Sequence, residues 1–374
     1  MKTRQFENIN GPKHQIKSQR SALSVERKVI APAYSISRLL KGGWQLSSGH
    51  NESVERQKGI ADMAAFVEAG ITSFDCADHY LGVEQMIGDF CRAYPSLAKQ
   101  VQVHTKYVPD FDALARTKRE DVVRIIDRSL MRLGVERLDL VQFFWWDWTV
   151  PGAVDTALVL KDLQSAGKIH LLGVTNFTTP QLRQFVDAGV PIVVNQLQYS
   201  LVDARPEREQ RDYCINNGIA LLTYGHLLGG FMGEAWLGQP EAQEPFTNRS
   251  LRKYKLIIED FGGWALFQDL LATLKKIGDR HGVGLGEVAL RWTLDRPGVA
   301  GCIVGATSTR HLARNLKVFD IELTEEDRRE LEAIRARRTG PQGDCYELEN
   351  DAEGRHGRIM RRNQNSLEDK PWPG

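Results

Sequence analysis

The chain has 374 residues, 42% of them hydrophobic and 26% charged, with a formal net charge of +1. That length suits two average domains or one α/β barrel with extensions, and it supports a large core. The near-neutral balance gives no electrostatic basis for a nucleic-acid or membrane partner.

The five cysteines are odd in number and form no CxxC pair, which argues against a metal site or a disulfide framework. Reduced thiols fit a cytoplasmic protein. The N-terminus lacks an apolar signal core, and no apolar run reaches the ~18 residues of a membrane span.

Residues 1–35 are polar, with Lys and Arg spread through them, and read as a loosely held arm. From there, short apolar β-like runs alternate with helical patterns. The runs are Ile36–Trp44, Ile71–Asp75, Val101–Lys106, Leu138–Phe144, Ile169–Thr175, Ile192–Gln196, Ile219–Tyr224 and Val299–Val304. The helical segments between them start at Val54, Val83, Arg119, Val154, Pro180, Glu207, Ala265 and Gly286. Glu120 and Asp121 suit a first helical turn, Gly134 suits the position just past a helix end, and Thr178-Thr179-Pro180 reads as a helix start. Strands apolar on both faces, alternating with helices, predict a parallel sheet. Eight such runs favour an α/β fold of the closed (β/α)8 TIM barrel type, with an open doubly wound sheet as the alternative.

Two segments break the alternation. Gly225 to Gly263 is a long connection after the seventh strand, where a barrel carries lids and cofactor clamps. After a helix capped at Thr324, the chain turns polar and reads as an extended tail lying over the barrel. The expected division is an arm (1–35), a barrel (36–337) and a tail (338–374).

In a barrel, chemistry sits at the C-terminal ends of the strands. One apolar run ends in Asp75, with Tyr80 five residues on, and the next ends in Lys106. An acid, a phenol and an amine delivered this way can make a proton donor. The ammonium favours phenolate and lowers the phenol's pKa, while the carboxylate holds the lysine charged.

These strand ends, taken in order, resemble the aldo-keto reductases, which reduce carbonyls with NAD(P)H on a (β/α)8 barrel. Gly42-Gly43-Trp44-Gln45 is similar to the family's first glycine-rich turn, and Asp75-Cys76-Ala77-Asp78-His79-Tyr80 to its Asp-x-Ala-x-x-Tyr motif. Gly173-Val174-Thr175-Asn176-Phe177 resembles its Gly-Val-Ser-Asn-Phe motif, with Thr for Ser, and Asn195-Gln196 resembles the motif after that. Tyr224 matches the tyrosine that stacks on nicotinamide, and Ile303 to Asn315 resembles the adenosine-phosphate site. The resemblance implies Asp75, Tyr80 and Lys106 as catalytic residues. It implies Gly43, Thr175, Asn176, Gln196, Tyr224, Gly225, Leu227, Gly305, Thr307, Arg310 and Asn315 around the cofactor.

The departures matter as much. The family's catalytic histidine falls on Phe144, in the run Phe143-Phe144-Trp145-Trp146-Asp147-Trp148. A phenyl ring donates no hydrogen bond, and losing one such donor costs about 2.7–4 kcal/mol. The indole N–H of Trp145 or Trp146, or His79 beside Tyr80, could compensate. Trp44, His79, Phe144, Trp145 and Trp146 would line an aromatic pocket for a small hydrophobic substrate. Tyr224-Gly225-His226-Leu227 replaces the usual Tyr-Ser-Pro-Leu, and Arg314 stands where a glutamate usually meets the adenine. A guanidinium at Arg310 would favour NADPH over NADH.

The expected function is therefore NADPH-dependent reduction of a hydrophobic carbonyl or conjugated enone, with Tyr80 as the acid. The alternatives are redox-neutral chemistry (isomerisation, dehydration or cyclisation) and a non-catalytic binding role, as in the potassium-channel β subunits that share this fold.

Overall fold

The computed structural model describes residues 25–48, 55–246 and 248–365. Eight parallel strands close into a barrel: β3 (Leu39–Gly42), β4 (Ser73–Asp75), β5 (Gln102–Tyr107), β6 (Leu138–Phe143), β7 (Ile169–Thr175), β8 (Ile192–Gln198), β9 (Ala220–Tyr224) and β10 (Val299–Gly305), with β10 pairing back onto β3. The closed barrel, and not the open sheet, is the architecture. The expected helices fall between the strands. Arg119–Leu133 ends at Gly134, whose φ of 71° is the left-handed C-terminal geometry that glycine adopts without strain. Thr178 starts the helix Thr179–Asp187, and the Gln181 side chain accepts from the Thr178 N–H at 2.9 Å.

The N-terminal end differs from the expected loose arm. Residues 1–24 lie outside the described residues, but β1 (Arg27–Ala31) and β2 (Tyr34–Ser37) form an antiparallel hairpin. The run Ile36–Trp44 accordingly splits, and only its Leu39–Gly42 part enters the barrel. The hairpin residues Ile30, Tyr34 and Ile36 pack with Leu40, Leu140, Leu171 and other barrel-lining residues into a core separate from the main one. The hairpin thus plugs one end of the barrel, and Tyr34 reaches His104 Nε2 at 3.3 Å. The main core lies between the strands and the surrounding helices.

The connection after β9 is not a bare loop. It carries the helix Arg249–Phe261, capped by Asn248, whose side chain accepts from the Leu251 N–H at 3.0 Å. The tail lies on the barrel and is held at several places. Glu349 joins Arg205 in a buried ion pair, and Asn365 Nδ2 donates to Asp78 Oδ2 at 3.0 Å. Among the described residues, no helix is long and apolar enough to cross a membrane, and no group of acidic, His and Cys side chains could hold a metal ion.

Candidate active site

Strand register brings the site together. Asp75 ends β4, Lys106 lies opposite Gln142 across β5 and β6, and Thr175 lies opposite Gln196 across β7 and β8. Lys106 Nζ donates to both Asp75 oxygens at 2.9 Å and to the Cys76 carbonyl at 2.8 Å. It also sits 4.9 Å from the centre of the half-buried Tyr80 ring. Burial opposes the Lys106 charge, but the Asp75 carboxylate and Tyr80 outweigh it and hold its pKa above the ordinary lysine value.

Tyr80 differs from the expectation in sign. Lys106 does pull its pKa down, but burial is the larger effect, and the phenol is pushed up to about 12. Tyr80 is therefore protonated at neutral pH. Its ring is flanked by Trp44, 5.0 Å away, and His79, 4.8 Å away.

The two amide side chains at the strand ends are hydrogen-bonded within the site. Gln196 Nε2 donates to Asp75 Oδ1 at 2.6 Å and to Gln142 Oε1 at 3.0 Å. Asn176, in the left-handed region at φ 60°, accepts from the Tyr224 hydroxyl at 2.7 Å. Gly43 N donates to the Asp75 carbonyl at 2.7 Å, which joins the first turn to the second strand end. At Gly225, φ is 84°, and a Cβ would come within 3.0 Å of both Gln198 Cγ and Tyr254 Oη. The Leu227 carbonyl then accepts from the Gly230 N–H at 2.9 Å and turns the chain back.

Beyond β10 lies a cavity of about 220 Å³ whose lining includes Phe66, Gly305, Thr307, Ser308, Arg310 and Asn315. Arg310 is exposed at its edge. Arg314 is engaged elsewhere: its guanidinium bonds Glu287 and Glu234, both at 3.1 Å. A second cavity, of about 470 Å³, lies between Ala204–Arg208 and Ala336–Gln342 and contains none of the strand-end residues.

The aromatic run behaves unevenly. Phe144 packs on Trp146 at 4.8 Å and on Tyr346 of the tail at 5.6 Å. Trp145 is fully buried, its ring tilted against Phe143 at 6.0 Å, with its N–H donated to the Val150 carbonyl at 3.1 Å. It faces the helix layer and does not line a pocket at the mouth. The Trp146 N–H is likewise engaged, by the Pro109 carbonyl at 2.9 Å. Neither indole is therefore free to replace the missing histidine. His79 uses Nδ1 on Asp78 Oδ1 at 3.2 Å.

The sequence reading missed an ionic and aromatic layer that the tail brings to the mouth. Arg205 bonds Asp203 and Glu349, all three essentially excluded from solvent. Lys253 Nζ lies 3.5 Å from Glu349 and 5.2 and 5.3 Å from the Tyr224 and Tyr346 ring centres. Burial lowers the Lys253 pKa against the pull of Glu349. Gln142 was also missed, though a polar residue near the end of a mainly apolar strand was a readable signal.

A closed parallel barrel with an acid, an amine and a phenol gathered at its strand ends defines a (β/α)8 enzyme scaffold. Residues 38–336 match the aldo/keto reductase family model, and the chain belongs to that family of oxidoreductases. Aldo-keto reductase YhdN from Bacillus subtilis (strain 168) is 28% identical over 307 residues, covering 80% of this chain and 89% of its own. Flagellar radial spoke protein 5 from Chlamydomonas reinhardtii is 31% identical over 287 residues, covering 66% of this chain but 53% of its own. Among solved structures, the glycerol dehydrogenase AKR11B4 from Gluconobacter oxydans superposes with a TM-score of 0.70 at 24% identity, over 83% of this chain and 95% of its own.

Proposed function

We propose that the chain is an NADPH-dependent reductase of a hydrophobic carbonyl or conjugated enone, with Tyr80 as proton donor. The observation that carries this reading is the convergence of Asp75, Lys106 and Tyr80, with Lys106 Nζ 2.9 Å from both carboxylate oxygens and 4.9 Å from the Tyr80 ring centre. A phenol whose pKa is near 12 holds its proton until an oxygen of growing negative charge takes it. Lys106 then stabilises the phenolate left behind, and Asp75 keeps Lys106 charged and in place.

The residues fit a nicotinamide dinucleotide. Thr175, Asn176 and Gln196 would hold the nicotinamide amide, and Tyr224 would stack on its ring. The turn from Gly225 to Leu227 would approach the pyrophosphate; Gly225 lacks the Cβ that would crowd Gln198 and Tyr254. The cavity with Gly305, Thr307 and Asn315 would take the adenosine phosphate, with the exposed Arg310 guanidinium favouring a 2′-phosphate. When bound, NADPH supplies hydride to the substrate carbon. The chain's own part is orientation of that ring, exclusion of water by the tail, and proton delivery from Tyr80. Trp44 lies against the Tyr80 ring, and Phe144 packs on Trp146; these aromatic surfaces support a hydrophobic substrate.

The test is fluorescence titration with NADPH and NADH, followed by cofactor consumption with aldehydes, ketones and enones. Both cofactors are needed. One relative is the NADH-specific methylglyoxal reductase of Escherichia coli (strain K12), while a Klebsiella pneumoniae aldo/keto reductase was solved with NADP and acetate. Tighter NADPH binding with substrate-dependent consumption is the expected result. Binding without consumption on any substrate would contradict the proposal.

A further inference from the structure

Phe144 leaves the substrate oxygen with one donor, Tyr80, on a site whose family members supply two. The ring that packs against Phe144, 5.6 Å away and nearly perpendicular, is Tyr346. It arrives from the tail, some 200 residues later in the chain. Tyr346 is half-buried and has φ 63°, left-handed geometry that is strained for a bulky residue. Its surroundings hold it there: the Lys253 ammonium lies 5.3 Å from its ring centre, and Glu349 just after it is locked to Arg205 at 3.0 Å. Strain maintained this way is a reason to look for function.

The Tyr346 hydroxyl is not firmly engaged. Among the described residues it donates to Met360 Sδ at 3.5 Å, and a thioether is a weak acceptor. It lies close enough to Tyr80 for the two phenols to interact electrostatically. The candidates named from the sequence are worse placed. The indole N–H groups of Trp145 and Trp146 are engaged by backbone carbonyls, and His79 stands on Tyr80 and not on Phe144.

We propose that the Tyr346 hydroxyl is the second hydrogen-bond donor to the substrate oxygen, so that the tail completes the active site. This rests on the reading of Tyr80 as the acid. Tyr346 transfers no proton; it lends its O–H to the oxygen as negative charge grows there, and the reduction's balance is unchanged. Arg205, Glu349 and Lys253 are positioning residues for it.

The test uses full-length wild type, Tyr346→Phe, Tyr80→Phe, His79→Gln, and Tyr346→Phe combined with Phe144→His, assayed with NADPH and ring-substituted benzaldehydes. Tyr346→Phe keeps the ring and so the packing on Phe144. It is expected to lower kcat about 10²-fold, as loss of one oxyanion donor does, with KM and NADPH affinity near wild type. Its rates should also depend more steeply on electron withdrawal in the substrate, because the carbonyl receives less help from the enzyme. A purely structural role would not move that slope, so this readout stands even where the double variant fails to fold. Where the double variant folds, Phe144→His should recover about 10-fold of the loss.

Unchanged kcat and slope in Tyr346→Phe, with Tyr80→Phe inactive, would overturn this proposal alone. So would a donor-type loss in His79→Gln and not in Tyr346→Phe. An inert wild type, or an active Tyr80→Phe, would overturn the reductase reading and this proposal with it.

Discussion

Glu349→Gln tests whether the tail is latched as described. The Glu349 carboxylate is fully buried and receives two bonds from Arg205, at 3.0 and 3.3 Å, with Lys253 3.5 Å away. Burial alone would raise its pKa, but Arg205 and Lys253 outweigh it, and the group sits at about 2 against an ordinary value of 4.5. At ~1.4 kcal/mol per unit, that difference corresponds to roughly 3 kcal/mol of stability. The figure agrees with the ~3–5 kcal/mol expected when one partner of a buried pair is removed. Glutamine keeps the shape but leaves Arg205 with Asp203 alone and Lys253 without its counter-ion.

Urea unfolding should show a loss of about 3 kcal/mol, and limited proteolysis should cut the tail far faster than in wild type. The pH dependence has a definite sign. A depressed carboxylate contributes its stability in full above its unfolded pKa of 4.5 and loses it as pH falls towards about 2. Wild type should therefore lose stability across that acid window more steeply than Glu349→Gln. Equal stability, equal protease resistance and parallel acid limbs would refute the latch.

Arg310→Ala should weaken NADPH binding about 10-fold, the value of one charge-assisted hydrogen bond, and leave NADH binding unchanged in the same titration. Gly88→Ala places a Cβ against the Arg132 carbonyl, with the Arg132 carbonyl carbon 3.2 Å away, so helix Val83–Ala93 must shift off helix Arg119–Leu133. A loss of about 1–3 kcal/mol in urea unfolding is expected, with cofactor affinity retained. Tyr80→Phe should retain NADPH binding and lose about 10²–10⁴-fold in turnover.

Much of the barrel was legible because most strands are short, mainly apolar runs, and helices such as Arg119–Leu133 carry their own end signals in Glu120, Asp121 and Gly134. The hairpin at Arg27–Ser37 was not. Its first strand opens on Arg27 and Lys28 and has only the three apolar residues Val29–Ala31, and the burial of Ile30 and Tyr34 exists only once the barrel end is there to receive them. The mouth was half legible. Alternation along β6 turns Leu140 and Gln142 inward and Phe143 outward, and continuing it past the strand end turns Phe144 in and Trp145 out. That period could have removed Trp145 from the pocket.

The tail's role had no local signal at all. Glu349 meets Arg205 across 144 positions of sequence, and such an ion pair leaves no periodicity. The sign of the Tyr80 shift was hidden for a related reason. The pull of Lys106 follows from the motif, but the burial that exceeds it depends on what is packed around the ring.

The central claim is that Tyr80 protonates a substrate oxygen during nicotinamide-dependent reduction. The direct measurement is single-turnover cofactor oxidation by wild type and Tyr80→Phe, both saturated with NADPH and mixed with the aldehyde or enone that wild type reduces fastest. Rapid oxidation in wild type, with a rate at least ~10²-fold lower in Tyr80→Phe at equal NADPH occupancy, is the predicted result. Equal rates in the two proteins would contradict it.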